Sequence, residues 1–264
     1  MLHHHLNIIC DDVWNRLKDS KRLGISQGEE TLTDNILLYL SQKNIKEIRI
    51  IQTPKNIEPI KGTDWEWWIG NSITGYLRYA VQAKKLNSKT NTYTTLNHKV
   101  GKKPHQEYQH VILDKYAKAN GAIPIYAFYN HIEKSDYSKF WNCPLPIDIP
   151  KFGCTITTLK NVKKAILTKG CRTFEKIHEF PETIPIRCLA ECPRILAIYS
   201  GSIQDSIYKF GVEAKIYKNA MDTLSEIQFY KTYEQLPKHL YNHEIGYYPK
   251  RILVIETNEE QANN

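Results

Sequence analysis

Apolar and polar positions alternate with a period that changes several times along the chain, and each change marks an element. Ile9, Val13 and Leu17 recur every four residues with Trp14 beside them, which predicts an amphipathic helix over about residues 10–23, stopping near Gly24. Ser26-Gln27-Gly28-Glu29 has the spacing of a capping box, so a second helix is expected to start there. Leu32, Ile36, Leu37 and Leu40 give it a buried face, with Glu29 as the capping acid and Glu30 at the margin of that face. The period shortens to two in residues 45–51, where Ile48, Arg49 and Ile50 alternate as in a strand. A proline-containing connection over 54–62 leads to a second strand at 65–69, a turn at Gly70-Asn71-Ser72 and a third strand at 76–86, closing a meander. Residues 87–103 are polar and basic without periodicity, as in a loop. Residues 105–119 read as a helix with Tyr108, Val111, Ile112, Tyr116 and Ala119 on one face and Gly121 as its stop. The nearly continuous apolar run at 122–129 predicts a strand buried on both faces.

Past Asn130 the patterns are weaker. Residues 137–150, rich in aromatics and proline, suggest a covering loop, and 157–167 a helix stopped by Gly170. Strands are expected at 195–200 and 252–256, a helix over 221–240 up to Pro237, and a frayed tail at 259–264. The chain thus divides into an N-terminal helix (1–24), an α/β core (25–135), a C-terminal α/β extension (136–258) and the tail (259–264).

The 264 residues suffice for a full core. Apolar runs fall far short of the ~20 residues of a membrane helix, and the N-terminus lacks the basic and apolar segments of a secretory signal. The expectation is a cytoplasmic protein without a membrane partner. With 36 Lys and Arg against 28 Asp and Glu, the net charge of +8 favours phosphate polyanions. Many soluble lysine-rich chains share that excess, so it bears on nucleic acid only together with a site. Cys188 and Cys192, with Cys171 and His178, make up a candidate zinc set, but their spacing matches no strong zinc signature. Buried, reduced thiols are the favoured reading of the six cysteines.

Chemistry concentrates in three short stretches: Gly28-Glu29-Glu30-Thr31, Gly62-Thr63-Asp64-Trp65-Glu66, and Val81-Gln82-Ala83-Lys84. Residues two apart on a strand share a face, so Gln82 and Lys84 point the same way, as do Asp64 and Glu66 if Asp64 is extended. Each residue also has an ordinary explanation. Asp64 and Glu66 can be solvated charges alternating with buried tryptophans, Lys84 and Lys85 can keep an edge strand soluble, and Glu30 can favour the helix dipole. Their joint occurrence, in this order and on these elements, outweighs the separate explanations.

That order resembles the PD-(D/E)XK nuclease superfamily, the restriction-endonuclease-like fold, in its Gln-x-Lys (Mrr-like) variant; the resemblance covers residues 28–130. It implies an α/β fold with an αβββαβ core, a mixed sheet flanked by helices. It implies a Mg²⁺ or Mn²⁺ ion held by Asp64, by the Gln82 carbonyl oxygen and by Glu30, with Lys84 orienting the attacking water. Glu66, Gln106 and Gln109 are further candidates for the site, and Lys85, Lys99, Lys102 and Lys103 for the nucleic-acid backbone, although a solvated loop competes for the last three. Trp65, Trp67, Trp68 and Trp141 can stack on bases, with core packing favoured for all but Trp141. The substrate expected is DNA rather than RNA, the setting restriction or anti-phage defence, and a homodimer would supply two sites for a double-strand cut. An amide at Gln82 brings no negative charge, which lowers metal affinity. The alternative is therefore an inactive nucleic-acid-binding or regulatory module on the same fold. No G-x-S-x-G motif and no phosphate-binding glycine loop occurs, so neither a serine hydrolase nor an ATP motor is encoded.

Overall fold

The computed structural model describes residues 2–52, 63–71, 75–133, 136–143, 145–191 and 251–256. The helices are α1 (Leu2–Leu23), α2 (Glu29–Gln42), α3 (Gln109–Asn120), α4 (Leu159–Leu167), α5 (Phe174–His178) and α6 (Cys188–Glu191). The strands are β1 (Ile48–Gln52), β2 (Trp65–Asn71), β3 (Gly75–Lys85), β4 (Lys99–Val100), β5 (Glu107–Tyr108), β6 (Ile123–Tyr129), β7 (Cys154–Thr158), β8 (Ile184–Pro185) and β9 (Arg251–Glu256). The chain is α/β, with a mixed, multistranded sheet flanked by helices. The connection expected at 54–62, the strand at 195–200, the helix at 221–240 and the tail lie outside the described residues.

Two compact units are each assembled from separated segments: Met1–Lys43, Ala83–His98 and Ile125–Ile203 form one, and Asn44–Gln82, Lys99–Pro124 and Gln204–Asn264 the other. In the first unit, α1 buries Leu6, Ile9, Cys10, Val13, Trp14 and Leu17. Leu6 extends the expected apolar stripe by a turn, so the helix begins well before residue 10 and ends where Gly24 takes φ +70°. The helix lies so close to Gly153 that a Cβ there would collide with the Cys10 carbonyl and the Trp14 amide. α2 buries Leu32, Thr33, Ile36, Leu37 and Leu40 as the pattern required. Its N-cap is Gly28, without a side-chain cap, so the capping box expected at Ser26 does not form. The Glu29 carboxylate instead accepts a hydrogen bond from the backbone N–H of Lys85 at 2.9 Å. Every residue of β6 is buried, as its unbroken apolar run required. β7 pairs antiparallel with β6, and β8 with β7. Because residues 154–158 form β7, the helix expected from 157 begins at Leu159, where Thr158 caps it by accepting from the Asn161 N–H.

The second unit corrects the expected meander. β9 lies between β1 and β2, antiparallel to β1 and parallel to β2, while β2 and β3 form an antiparallel pair. Residues 252–255 of β9 are all apolar and all buried, as an interior strand requires, whereas β1 alternates and stays half-buried. The helix expected from residue 105 starts at Gln109 instead, and β4 and β5 form a small antiparallel hairpin before it. Its buried face is Gln109, Ile112, Leu113, Tyr116 and Ala117, so Tyr108 stays at the surface. Gly121 ends the helix in the left-handed region at φ 58°, as expected.

Candidate active site

The β2–β3 ladder sets the geometry. Trp65 pairs with Val81, Glu66 with Ala80, Trp67 with Tyr79 and Trp68 with Arg78. The Asp64 N–H donates to the Val81 carbonyl at 3.0 Å, which continues the ladder and sets Asp64 opposite Gln82. Thr63 fastens the chain just before Asp64, its hydroxyl in reach of the carbonyls of Trp65 (2.7 Å) and Val81 (2.9 Å). Strand periodicity then sorts the side chains: Trp65, Trp67, Tyr79 and Val81 take one face, and Asp64, Glu66, Trp68, Arg78 and Gln82 the other. Across the pair, the Gln82 amide nitrogen donates to the Asp64 carboxylate. Gln82 is buried and Asp64 half-buried.

Glu66 stands beside them in a different role. It is fully buried, and the Arg78 guanidinium donates to both of its oxygens at 2.6–2.9 Å. The Trp68 indole N–H donates to it at 3.1 Å, and the Tyr116 hydroxyl donates as well. Burial, and then the Glu66 charge, push the Tyr116 phenol well above its usual range, which keeps it a donor. Arg78 also reaches the Asn120 carbonyl at 3.3 Å and lies over the Trp68 ring. Glu66 is thus an anchor joining β2, β3 and α3, and both its oxygens are engaged.

In the other unit, Lys84 is nearly inaccessible, with its ammonium 3.8 Å from a Glu29 oxygen. The other Glu29 oxygen accepts from the Lys85 N–H and, at 3.2 Å, from the Thr95 hydroxyl. The Lys85 ammonium donates to the Gln27 carbonyl and lies 3.4 Å from the Ser26 hydroxyl, tying the entry of α2 to β3. Glu29 is thus brought to Lys84, and Glu30, next to it on α2, is exposed.

The remaining candidates are dispersed. Gln106 is exposed and donates to the Gly101 carbonyl at 3.3 Å, and Gln109 is buried on α3. Lys99, Lys102 and Lys103 are exposed on the β4–β5 hairpin. Trp65, Trp67 and Trp68 are buried, and the half-buried Trp141 donates to the Leu145 carbonyl. No three His, Cys, Asp or Glu side chains converge as a metal cluster among the described residues, and the Asp64 carboxylate has the Gln82 amide as a neighbour. The zinc set does not assemble among them either. His178 has both ring nitrogens in hydrogen bonds, to Thr155 (3.0 Å) and the Phe174 carbonyl (2.8 Å), Cys188 contacts Cys143 at 3.1 Å, and Cys192 lies outside the described residues.

No helix among the described residues is long and apolar enough to cross a membrane. No curated protein and no solved structure matches the chain. A family model described as a family of unknown function (DUF6615) matches residues 2–261, nearly the whole length, and the chain belongs to that family.

Proposed function

We propose that the chain is a metal-dependent nuclease of the PD-(D/E)XK type in its Gln-x-Lys form, hydrolysing phosphodiester bonds in nucleic acid, DNA rather than RNA. The observation that carries the reading is the contact of Asp64 with Gln82 at opposed positions of β2 and β3, with Lys84 following Gln82 on the same side of its strand. The chain order also supports it. From α2 to β6 the elements run helix, three strands, helix, strand, with the β4–β5 hairpin added, in keeping with a restriction-endonuclease-like αβββαβ core.

Mg²⁺ or Mn²⁺, when bound, neutralises the scissile phosphate and makes a coordinated water acidic enough to attack at neutral pH. Asp64 would hold the ion through a carboxylate oxygen and Gln82 through its amide oxygen, a small oxygen set that suits a cation retaining several waters. An amide ligates only through oxygen, so the Gln82 amide must turn from the orientation in which its nitrogen donates to Asp64. The Lys84 ammonium stabilises the charge that grows on the phosphoryl oxygens and donates to the attacking water, and Glu29 holds that ammonium in place. Water adds to phosphorus, the leaving oxygen takes a proton, and the products are a phosphomonoester and an alcohol. A homodimer would supply two such sites for a double-strand cut, and restriction or anti-phage defence in the cytoplasm is the setting that family analogy suggests.

One observation favours the second reading, a non-catalytic nucleic-acid-binding module: Arg78 engages both oxygens of Glu66, and the group opposite Asp64 is an uncharged amide. Titration of wild type and Asp64→Ala with Mn²⁺, followed by electron paramagnetic resonance, separates the two. The nuclease reading expects Mn²⁺ bound by the wild type and lost in the variant, and a wild type that binds none leaves the module.

A further inference from the structure

The β4–β5 hairpin carries cations that its own unit does not neutralise. Lys99, Lys102 and Lys103 are exposed, and none has a carboxylate within 4.0 Å among the described residues. Glu107 is the sole acid between His98 and Tyr108, and it pairs with Lys115 on α3 at 2.5 Å instead.

The segment is also pinned. Lys99 pairs with Tyr108 and Val100 with Glu107 in the ladder, and the His105 N–H donates to the Lys102 carbonyl at 2.9 Å. The Gln106 side chain donates to the Gly101 carbonyl at 3.3 Å. Gly101 sits at φ +100°, where a Cβ would lie 2.9 Å from the His105 carbonyl oxygen, so the turn needs a glycine. A loop kept only for solubility requires none of these ties.

An aromatic ring stands at its base. Tyr108 is 36% exposed although it closes β5 and caps α3, so its backbone is held on both sides while the residue stays at the surface. His110 stacks on it with ring centroids 5.4 Å apart and planes 26° from parallel. The Lys99 ammonium lies over the Tyr108 ring, 4.6 Å from its centroid, so a base that stacks there takes the place of this flexible side chain and leaves its charge for the adjoining phosphate.

From this we infer that the hairpin is a docking site for single-stranded nucleic acid: an unpaired base stacks on Tyr108, and Lys99, Lys102 and Lys103 hold the flanking phosphates. Cations alone attract any phosphate polymer, but an aromatic face adds binding only where a base exposes its own face, which a closed duplex does not. The choice of nucleic acid as the polyanion rests on the nuclease reading, which the inference extends to an unpaired substrate strand.

The test is fluorescence anisotropy with a labelled single-stranded DNA and its duplex, in EDTA so that no cleavage intervenes. The proteins are wild type, Tyr108→Ala, Tyr108→Phe and Lys102→Ala/Lys103→Ala, with thermal melting to confirm folding. Tyr108→Ala is expected to weaken single-strand binding roughly 5- to 150-fold, as loss of one stacked base does, with duplex binding unchanged and Tyr108→Phe close to wild type. The double lysine variant is expected to weaken both and to reduce the single-strand salt slope by about 1.4. Single-strand affinity unmoved by Tyr108→Ala, equal losses on both DNAs, or a wild type that binds neither overturns the inference. A parallel digestion with Mn²⁺ keeps the two readings apart. Cleavage without dependence on Tyr108 overturns only the docking site, and Tyr108-dependent binding without cleavage overturns only the nuclease.

Discussion

Gln82 donates its amide N–H to the Asp64 carboxylate from the directly opposed position of β3. A carboxylate at residue 82 would bring two negative charges into contact, and like charges so close cannot both ionise without cost. The amide therefore satisfies Asp64 in the absence of a cation. Gln82→Glu should lower the stability of the metal-free protein at pH 7 by about 1–3 kcal/mol, through the lost hydrogen bond and the new repulsion. Melting with and without millimolar Mg²⁺ checks this: the variant should melt lower without metal and gain more from it than the wild type. Equal gains would mean that residue 82 does not face the ion.

Glu66 and Arg78 form a buried ion pair, so removing one partner strands the other. Arg78→Ala should cost about 3–5 kcal/mol in denaturant unfolding. Glu66→Gln combined with Arg78→Met should recover much of that loss, because neither charge is left alone. A double variant as unstable as Arg78→Ala would argue that packing on Trp68, rather than the charge, holds the anchor.

His178 gives the first unit a pH dependence. It is buried and stacked on Phe174, its Nδ1–H donates to the Phe174 carbonyl, and burial pushes its pKa down to about 4. The unfolded chain takes up this proton near pH 6.5 while the folded chain resists it. Its contribution to stability is therefore full above about pH 6.5 and is lost as pH falls to about 4, about 3 kcal/mol in all. His131, also lowered by burial, acts in the same direction. Urea unfolding between pH 7.5 and 4 should show the decline, and His178→Gln should be less stable at pH 7.5 with a flatter profile. An unchanged profile would place the proton uptake elsewhere.

Glu29 lies against Lys84, 3.8 Å from its ammonium. Glu29→Gln should lower the cleavage rate at least about tenfold more than Glu30→Gln, as expected when a positioned cation loses its partner. Rates under saturating substrate decide the point, and a larger loss at Glu30 would restore the acid chosen from the sequence.

The legible parts were those that a single period determines. The stripes of α1 and α2, the unbroken run of β6, the strand at 252–256 and the Gly24 and Gly121 stops all follow from local chemistry. β9 between β1 and β2 was not legible, because a short apolar run says that a strand is interior without saying which neighbours it takes. Glu66 read as a strand acid, since its partner Arg78 becomes visible only with the β2–β3 register. The helical period puts Tyr108 on a buried helix face because the β4–β5 hairpin, with two residues in each strand, leaves too little alternation to detect. Glu29 reads as a capping acid because the contact of its carboxylate with the Lys85 N–H and Lys84 becomes visible only when α2 is set beside β3.

Cleavage of plasmid and single-stranded DNA in the presence of Mn²⁺ or Mg²⁺, by wild type, Asp64→Ala and Lys84→Ala, tests the central claim most directly. The account predicts cutting by the wild type and its loss, by about 100-fold or more, in both variants, with folding and DNA binding retained. A wild type that cuts neither DNA nor RNA, or an Asp64→Ala protein that cuts as well as wild type, would contradict it.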